Sequence, residues 1–149
     1  MRKVSMTVKV IVEDLIAEAT HKNKHVLKVE TIRTRAERRI GTACEDEDHE
    51  VLYSIGLNQL IYQWLNAFGF YSVRIGLFVN PDVCNNVHYL EAIINNAENS
   101  IDGRIKAMER LKAKRDPQIS MKFEDEDMVG YDVPMTEEEF VDYLLADAV

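Results

Sequence analysis

The sequence has few cysteines, prolines and glycines, and it has no apolar run long enough to span a membrane. Its 149 residues include two cysteines, three prolines and six glycines. Cys44 and Cys84 are too few for a disulfide framework, and polar residues interrupt every apolar run before it reaches the roughly 18 residues of a transmembrane helix. The N-terminus has no long apolar segment that would indicate a secretory signal. We therefore expect a soluble, cytoplasmic protein that makes no contact with a membrane.

Sequence motifs of enzymes are also absent. The chain contains no phosphate-binding loop, no GxGxxG, no GxSxG and no HExxH, which are the patterns that carry nucleotide binding, nucleophilic catalysis and zinc hydrolysis. The acidic run at residues 45–48 has too many adjacent carboxylates to single out one acid and one base. The sequence predicts a non-enzymatic protein with no catalytic residues and no cofactor.

Two Cys–His pairs have a spacing that allows zinc binding. Cys44 is followed by His49, and Cys84 is followed by His88. Structural zinc sites generally use more closely spaced cysteine pairs, so two unrelated thiols explain the pattern better. We predict no metal site, although the spacing alone leaves a site built from these four residues open.

Charge is distributed unevenly along the chain. Residues 1–115 carry 17 Lys or Arg and 15 Asp or Glu, whereas residues 116–149 carry one Lys and 11 Asp or Glu. This asymmetry predicts a core domain over residues 1–115 and an acidic, partly flexible tail over residues 116–149. The tail should end in a short amphipathic helix, because Thr136 and Glu139 have the spacing of a capping box.

The stretch from residue 51 to residue 81 is nearly uncharged and holds seven of the 12 aromatic residues. Its first part, residues 51–68, is apolar around most of a helical circumference, which is typical of a buried helix. Residues 71–79 then alternate as in a strand, and Gly76 marks a bulge or a hairpin turn. Because a lone hairpin is unstable, we expect it to pair with residues 119–123.

The remaining apolar periodicity predicts a mainly α fold with a single core. A first helix should begin at Thr7 as N-cap and continue to Thr20, and a second should run from Leu27 to Ile40. The two helices form a helix-turn-helix-like pair.

The second half of the core domain should contain a long helix. Asn80 and Pro81 indicate its start, and apolar residues continue at helical spacing as far as Leu111. Asn99 with Ser100, and Gly103, weaken it and leave open a division in two. This near-heptad stripe suits homodimerisation or packing within the chain.

The one strongly basic segment, residues 22–39, carries the leading functional hypothesis. It contains seven Lys or Arg and two Glu, and on a helical wheel the basic residues form a face beside the apolar stripe. We expect this face to bind DNA or another nucleic acid, with the arginines on phosphates or bases, Thr31 close to a base edge and the lysines on phosphates. The predicted site comprises Lys22, Lys24, Lys28, Thr31, Arg35, Arg38 and Arg39.

The helix and β element around Gly76 resemble a winged-helix core. In that arrangement the recognition helix is the one directly before the wing, residues 51–68, but this segment has no Lys or Arg. The sequence therefore favours the second helix for nucleic-acid contact, with the acidic tail modulating the binding.

The alternative hypothesis is a small acidic adaptor or inhibitor, of the kind that phages and mobile elements encode. Its acidic surface would dock on a basic partner protein. Phe140, Tyr143 and Leu144 of the terminal helix would then enter a groove of that partner. A simpler interpretation is that this helix packs on its own domain.

Overall fold

The computed structural model describes residues 2–40, 47–115 and 136–149, which form a mainly helical fold with a small antiparallel sheet. The predicted fold class is confirmed. The elements in chain order are α1 (Arg2–His21), β1 (Val26–Lys28), α2 (Val29–Ile40), α3 (Glu47–Ala67), β2 (Tyr71–Arg74), β3 (Leu77–Val79), α4 (Val87–Asn95), α5 (Ile101–Arg115) and α6 (Glu137–Ala146).

The three described strands form an antiparallel sheet in the order β1-β3-β2. The predicted hairpin is present as β2 and β3, and it turns at Gly76 with a positive φ of 76°, a conformation that glycine adopts without steric cost. The third strand is β1, which pairs with β3 in the register Leu27 to Phe78. The segment predicted to pair with the hairpin, residues 119–123, lies outside the described residues.

The sheet lies between two layers of helices. Alternate side chains of a strand point to opposite faces, and here each face contacts a different hydrophobic core. Leu27 and Phe78 belong to the core formed with α1, α2 and α3. Their neighbours Val26 and Val79 belong to the core formed with α4, α5 and α6. Burial on both faces explains why β3 is apolar at every position.

The first helical layer packs around side chains that are completely buried. Leu15 of α1, Ile32 of α2 and Ile61 of α3 are all inaccessible to solvent in one contiguous core. The prediction that α1 starts at Thr7 is wrong, because the helix already begins at Arg2 and Thr7 lies inside it. Between α1 and α2 the chain also forms strand β1, which the three-residue pattern Val-Leu-Lys was too short to reveal.

The long helix predicted after Pro81 is divided in two. Residues 81–83 form a turn instead of a helix start, and Asn80 Oδ1 accepts a hydrogen bond from the Asp82 N–H at 2.9 Å. Helix α4 begins later, with Asn86 as its N-cap. The chain leaves helical geometry again at residues 96–100 before α5, so α4 and α5 form two packed helices.

The predicted C-terminal helix is present and packs into the body of the protein. The Thr136 side chain caps α6 by accepting a hydrogen bond from the Glu139 N–H at 3.2 Å, as predicted. Phe140 and Leu144 are buried in the second core. Residues after α6 run beside β1, where Ala148 bridges to Val26 in parallel. Residues 136–149 are therefore a structural part of the fold and not a loose tail, while the rest of the predicted tail lies outside the described residues.

Candidate functional site

The order of elements from α1 to β3 resembles that of a winged helix. One helix, one strand and two further helices precede the β2–β3 hairpin, and the first strand pairs with the second strand of that hairpin. Helix α3 immediately precedes the hairpin. A second layer, α4 to α6, covers the other face of the sheet.

The exposed side of α3 is polar and uncharged. Gln59, Gln63 and Asn66 are exposed and lie on one side of the helix. Tyr62 lies next to them, and its ring stacks on Phe78 of β3 with 5.6 Å between the ring centres. Amide side chains can make paired hydrogen bonds with adenine in the major groove. The sequence already contained this row of amides, but they appeared there only as polar positions on a buried helix.

Cations flank α3 on two sides. On α2, Arg33 donates a hydrogen bond to Asn58 Oδ1 at 3.4 Å. On α1, Lys9 Nζ lies 5.5 Å from the ring centre of Trp64. Each of these cations also forms an ion pair with a glutamate one turn further along its own helix. The surface around α3 therefore has amides at its centre and paired charges at its edges.

Three of the seven predicted basic-face residues, Lys22, Arg35 and Arg39, are paired with acidic residues of α1. Arg35 and Lys22 both lie 2.9 Å from the carboxylate of Glu18, and Arg39 lies 3.9 Å from Asp14. The hydrogen bonds from Arg35 and Lys22 lower the pKa of Glu18 to about 2. The sequence indicated the cations but not the anions beside them, because only the packing of α1 on α2 brings the two together.

Of the other four predicted residues, two form hydrogen bonds with the C-terminal segment and two are at least partly exposed to solvent. Lys24 Nζ donates to the carbonyl of Ala146 at 2.7 Å, and the Thr31 hydroxyl donates to the carbonyl of Val149 at 3.3 Å. Arg38 is exposed and Lys28 is half-buried. The seven residues are thus neighbours on the α1–α2 side of the molecule, yet they do not form one uninterrupted cationic surface.

The residues predicted to enter a partner's groove are mostly unavailable. Phe140 and Leu144 are core residues, so their assignment to a partner-binding surface is wrong in this conformation. Arg74 covers Phe140, with its guanidinium carbon 4.7 Å from the ring centre, and forms a two-point ion pair with Glu137. Tyr143 remains 47% exposed.

Within residues 2–40, 47–115 and 136–149, no three potential metal ligands come together. Cys84 is buried, and burial raises the pKa of its thiol to about 11, which keeps it protonated. His88 packs with its ring centre 6.4 Å from that of Phe140. Cys44 lies outside the described residues, so the four-residue zinc hypothesis stays untested. No helix in the described parts of the chain is long and apolar enough to cross a membrane.

Comparison with protein-family models, with curated proteins and with solved structures gives no match for this chain. Its function must therefore be argued from the geometry of its own residues. Among the described residues, the amide row of α3 and the mixed basic face of α2 are two surfaces with a definite chemical character.

Proposed function

We propose that this protein is a non-enzymatic regulatory protein that binds nucleic acid through its α1–β3 unit. The observation that carries this proposal is the winged-helix order of elements, which presents α3 next to the hairpin. A fold by itself does not determine a function. The exposed amides of α3 add chemical support, since Gln and Asn are side chains that read base edges.

In this proposal α3 reads bases, and the α2 side provides the phosphate contacts. Exposed Arg38 and half-buried Lys28 meet phosphates directly. Arg35 exchanges its contact with Glu18 for a phosphate oxygen, because both anions accept charge-assisted hydrogen bonds from a guanidinium. With a net charge of −8, the chain as a whole is not attractive to nucleic acid. We expect modest affinity that falls steeply with added salt.

The test is binding of the full chain to duplex DNA and to RNA at two salt concentrations. Replacing Arg35, Arg38 and Arg39 together with Ala should weaken binding to all sequences and flatten the salt dependence by about one counterion per lost contact. Replacing Gln59 and Gln63 with Ala should reduce preference among sequences more than total affinity.

The control removes two exposed cations from the opposite layer, Lys106 and Lys112 of α5. This variant should bind as the wild type does if the α2–α3 surface is the site. Absence of binding by the full chain at low salt rejects the proposal, and so does equal loss in the control and in the arginine variant.

A second candidate is docking of a basic partner protein, and a specific observation favours it. Helix α6 is anchored through Phe140 and Leu144, so its outer side holds three carboxylates in fixed positions. Those carboxylates belong to Glu138, Glu139 and Asp142, all of which are exposed. Their replacement by the corresponding amides should abolish association with a basic peptide such as polylysine if this surface is used.

We also propose that the protein acts as a cytoplasmic homodimer. Three apolar side chains, Ile101, Ile105 and Met108, form an exposed row on α5, with Ile105 43% exposed. Such a row suits a second copy of the same helix. Ile105→Glu should convert the dimer to a monomer in sedimentation, whereas Val10→Glu, at a site 42% exposed on α1, should leave it a dimer. A monomeric wild type at high concentration rejects this part of the proposal.

A further inference from the structure

A partly open cavity of about 370 Å³ lies at one end of the α1–β3 unit. It is bordered by the C-terminal end of α1, the turn before β1, the segment after α3 and the loop after β3. Its wall is apolar and is formed mainly by Ile16, Ala19, Leu27, Phe68, Phe70 and Cys84. The volume and the lining are those of a site for a small ligand.

Lys24 gives the cavity its electrostatic character. This lysine lines the cavity and is half-buried. Among the residues that the structure describes, no carboxylate lies within ion-pair distance of it, and its hydrogen bond goes to the Ala146 carbonyl. An ammonium has three donors, and a partly desolvated cation is stabilised by an anion more strongly than by a carbonyl.

Asn80 also lines the cavity and contributes a second donor. Its Oδ1 is fixed by the N–H of Asp82 at 2.9 Å, so its Nδ2 is the end left to serve as a donor. The amide lies against Gly69, where an added Cβ would be 3.7 Å from Nδ2. Lys24 and Asn80 thus offer N–H donors to one molecule in the cavity.

The nearby carboxylate of Asp147 is held by donors of the protein, which leave its negative charge in place, so Lys24 must outweigh that charge for an anion to bind. Its oxygens accept hydrogen bonds from the Tyr89 hydroxyl at 3.0 Å and from the His25 backbone N–H at 3.2 Å. The Nδ1 atom of His25, which also lines the cavity, lies 3.1 Å from Asp147 Oδ2. Asp147 is therefore occupied by donors of the protein itself.

From these features we propose that the cavity binds a small apolar carboxylic acid. Its hydrocarbon part packs against Phe68, Phe70 and Leu27, and its carboxylate accepts hydrogen bonds from Lys24 and Asn80. The ligand would connect α1 with the segments after α3 and β3, and so would stabilise the folded state by an amount that grows with the logarithm of ligand concentration above its Kd. The proposal does not depend on nucleic-acid binding.

The test uses the full chain with octanoate as the probe and octanamide as its uncharged counterpart. Calorimetry should show saturable binding at one site, with octanoate bound about tenfold more tightly, the gain expected for a hydrogen bond to a charged group. Thermal unfolding should shift upward with octanoate concentration. The single tryptophan, Trp64, lies 6.1 Å from the Phe68 ring, so its emission should change as well.

Two variants locate the site without disturbing the core. Val83→Asp places a carboxylate at the cavity on a residue that is 64% exposed, and it should weaken octanoate binding by about tenfold or more by like-charge repulsion. Lys24→Gln should bring octanoate and octanamide to equal affinity. Lys22→Gln is the matched control, since Lys22 belongs to the same turn but does not line the cavity.

Unchanged octanoate affinity in both Val83→Asp and Lys24→Gln would overturn the proposal, as would an absence of saturable binding at millimolar probe. Equal affinity of the wild type for the acid and the amide would overturn the assignment of an anionic ligand. Binding that is lost equally in Lys22→Gln would show that the general charge of the turn, and not this cavity, attracts the probe.

Discussion

Gly103 of α5 lies directly against the ring of Tyr71 in β2. A Cβ atom built on residue 103 would come within 2.3 Å of two ring carbons of Tyr71, far below any normal contact. Tyr71 is itself buried in the second core. In the sequence Gly103 looked like a weak point in a helix, whereas its structural role is to let α5 pack closely on the sheet.

Gly103→Ala should therefore destabilise the protein, although alanine is the better helix former. Overpacking a core typically costs about 1–3 kcal/mol, and the helical preference for Ala over Gly returns about 1 kcal/mol at most. We expect a net loss of about 1–2 kcal/mol in the free energy of unfolding, measured with urea. Combining it with Tyr71→Leu should relieve part of the clash. A stabilising Gly103→Ala would contradict the close packing.

The features that the sequence predicted correctly are those with local causes. The apolar helix before Gly69, the turn at Gly76 and the cap at Thr136 depend on residues that are close together in the chain. Strand β1 and the break between α4 and α5 depend on distant partners, and the sequence did not determine them. The same is true of the candidate site, where Arg35 was visible in the sequence but its pairing with Glu18 of another helix was not.

Asn99 stabilises the break between α4 and α5, because its side chain forms hydrogen bonds with the backbone of the edge strand β2. Asn99 Oδ1 accepts a hydrogen bond from the Ser72 N–H, and its Nδ2 donates to the Ser72 carbonyl, both at 2.8 Å. Nδ2 also donates to the Ile93 carbonyl at 3.1 Å. One side chain thereby satisfies the backbone of a buried edge residue, much as a neighbouring strand would.

Asn99→Asp should be costly, because a carboxylate keeps the acceptor but loses the donor. The Ser72 and Ile93 carbonyls would then face a negative charge, and we expect a loss of about 1–3 kcal/mol. Asn85→Asp is the matched control, since exposed Asn85 only accepts, from Arg110 at 3.0 Å. The free energies of unfolding of the two variants are compared by chemical denaturation at neutral pH. Equal stability of the two would show that the Nδ2 hydrogen bonds contribute little.

The lowered pKa of Glu18 predicts that its ion pairs contribute to the free energy of unfolding in a way that depends on pH. Its pKa is about 2 in the folded protein, against 4.5 for the free group, because Arg35 and Lys22 bind its carboxylate. A lowered folded pKa means that the contribution is fully present above pH 4.5 and disappears as the pH falls towards 2. Because the pair is exposed, its size is small and depends on salt.

The measurement is the difference in unfolding free energy between wild type and Glu18→Gln across that pH range. The difference should be constant from pH 7 to about pH 5 and shrink below it. Arg35→Gln should remove most of the dependence, since Arg35 is the largest cause of the shift. A difference that stays unchanged down to pH 2 would show that the carboxylate is not paired in solution.

The hydroxyl of Tyr89 connects α4 to the C-terminal segment. Tyr89 is almost completely buried, and its hydroxyl donates a hydrogen bond to Asp147 Oδ2 at 3.0 Å. Burial, together with the charge of Asp147, raises the pKa of Tyr89 above its usual range. The hydroxyl therefore remains protonated and able to donate at neutral pH.

Tyr89→Phe should lower the unfolding free energy by about 1–3 kcal/mol, the range for losing a hydrogen bond to a buried or charged partner. Tyr143→Phe makes the same chemical change on the 47%-exposed ring of α6 and should cost less than about 0.5 kcal/mol. Asp147→Asn alone should also destabilise, and combined with Tyr89→Phe it should cost less than the two single changes together, because both remove one interaction. Additive costs would mean that Tyr89 stabilises the fold through its ring alone, and the hydroxyl would then have no part in holding the C-terminal segment beside β1.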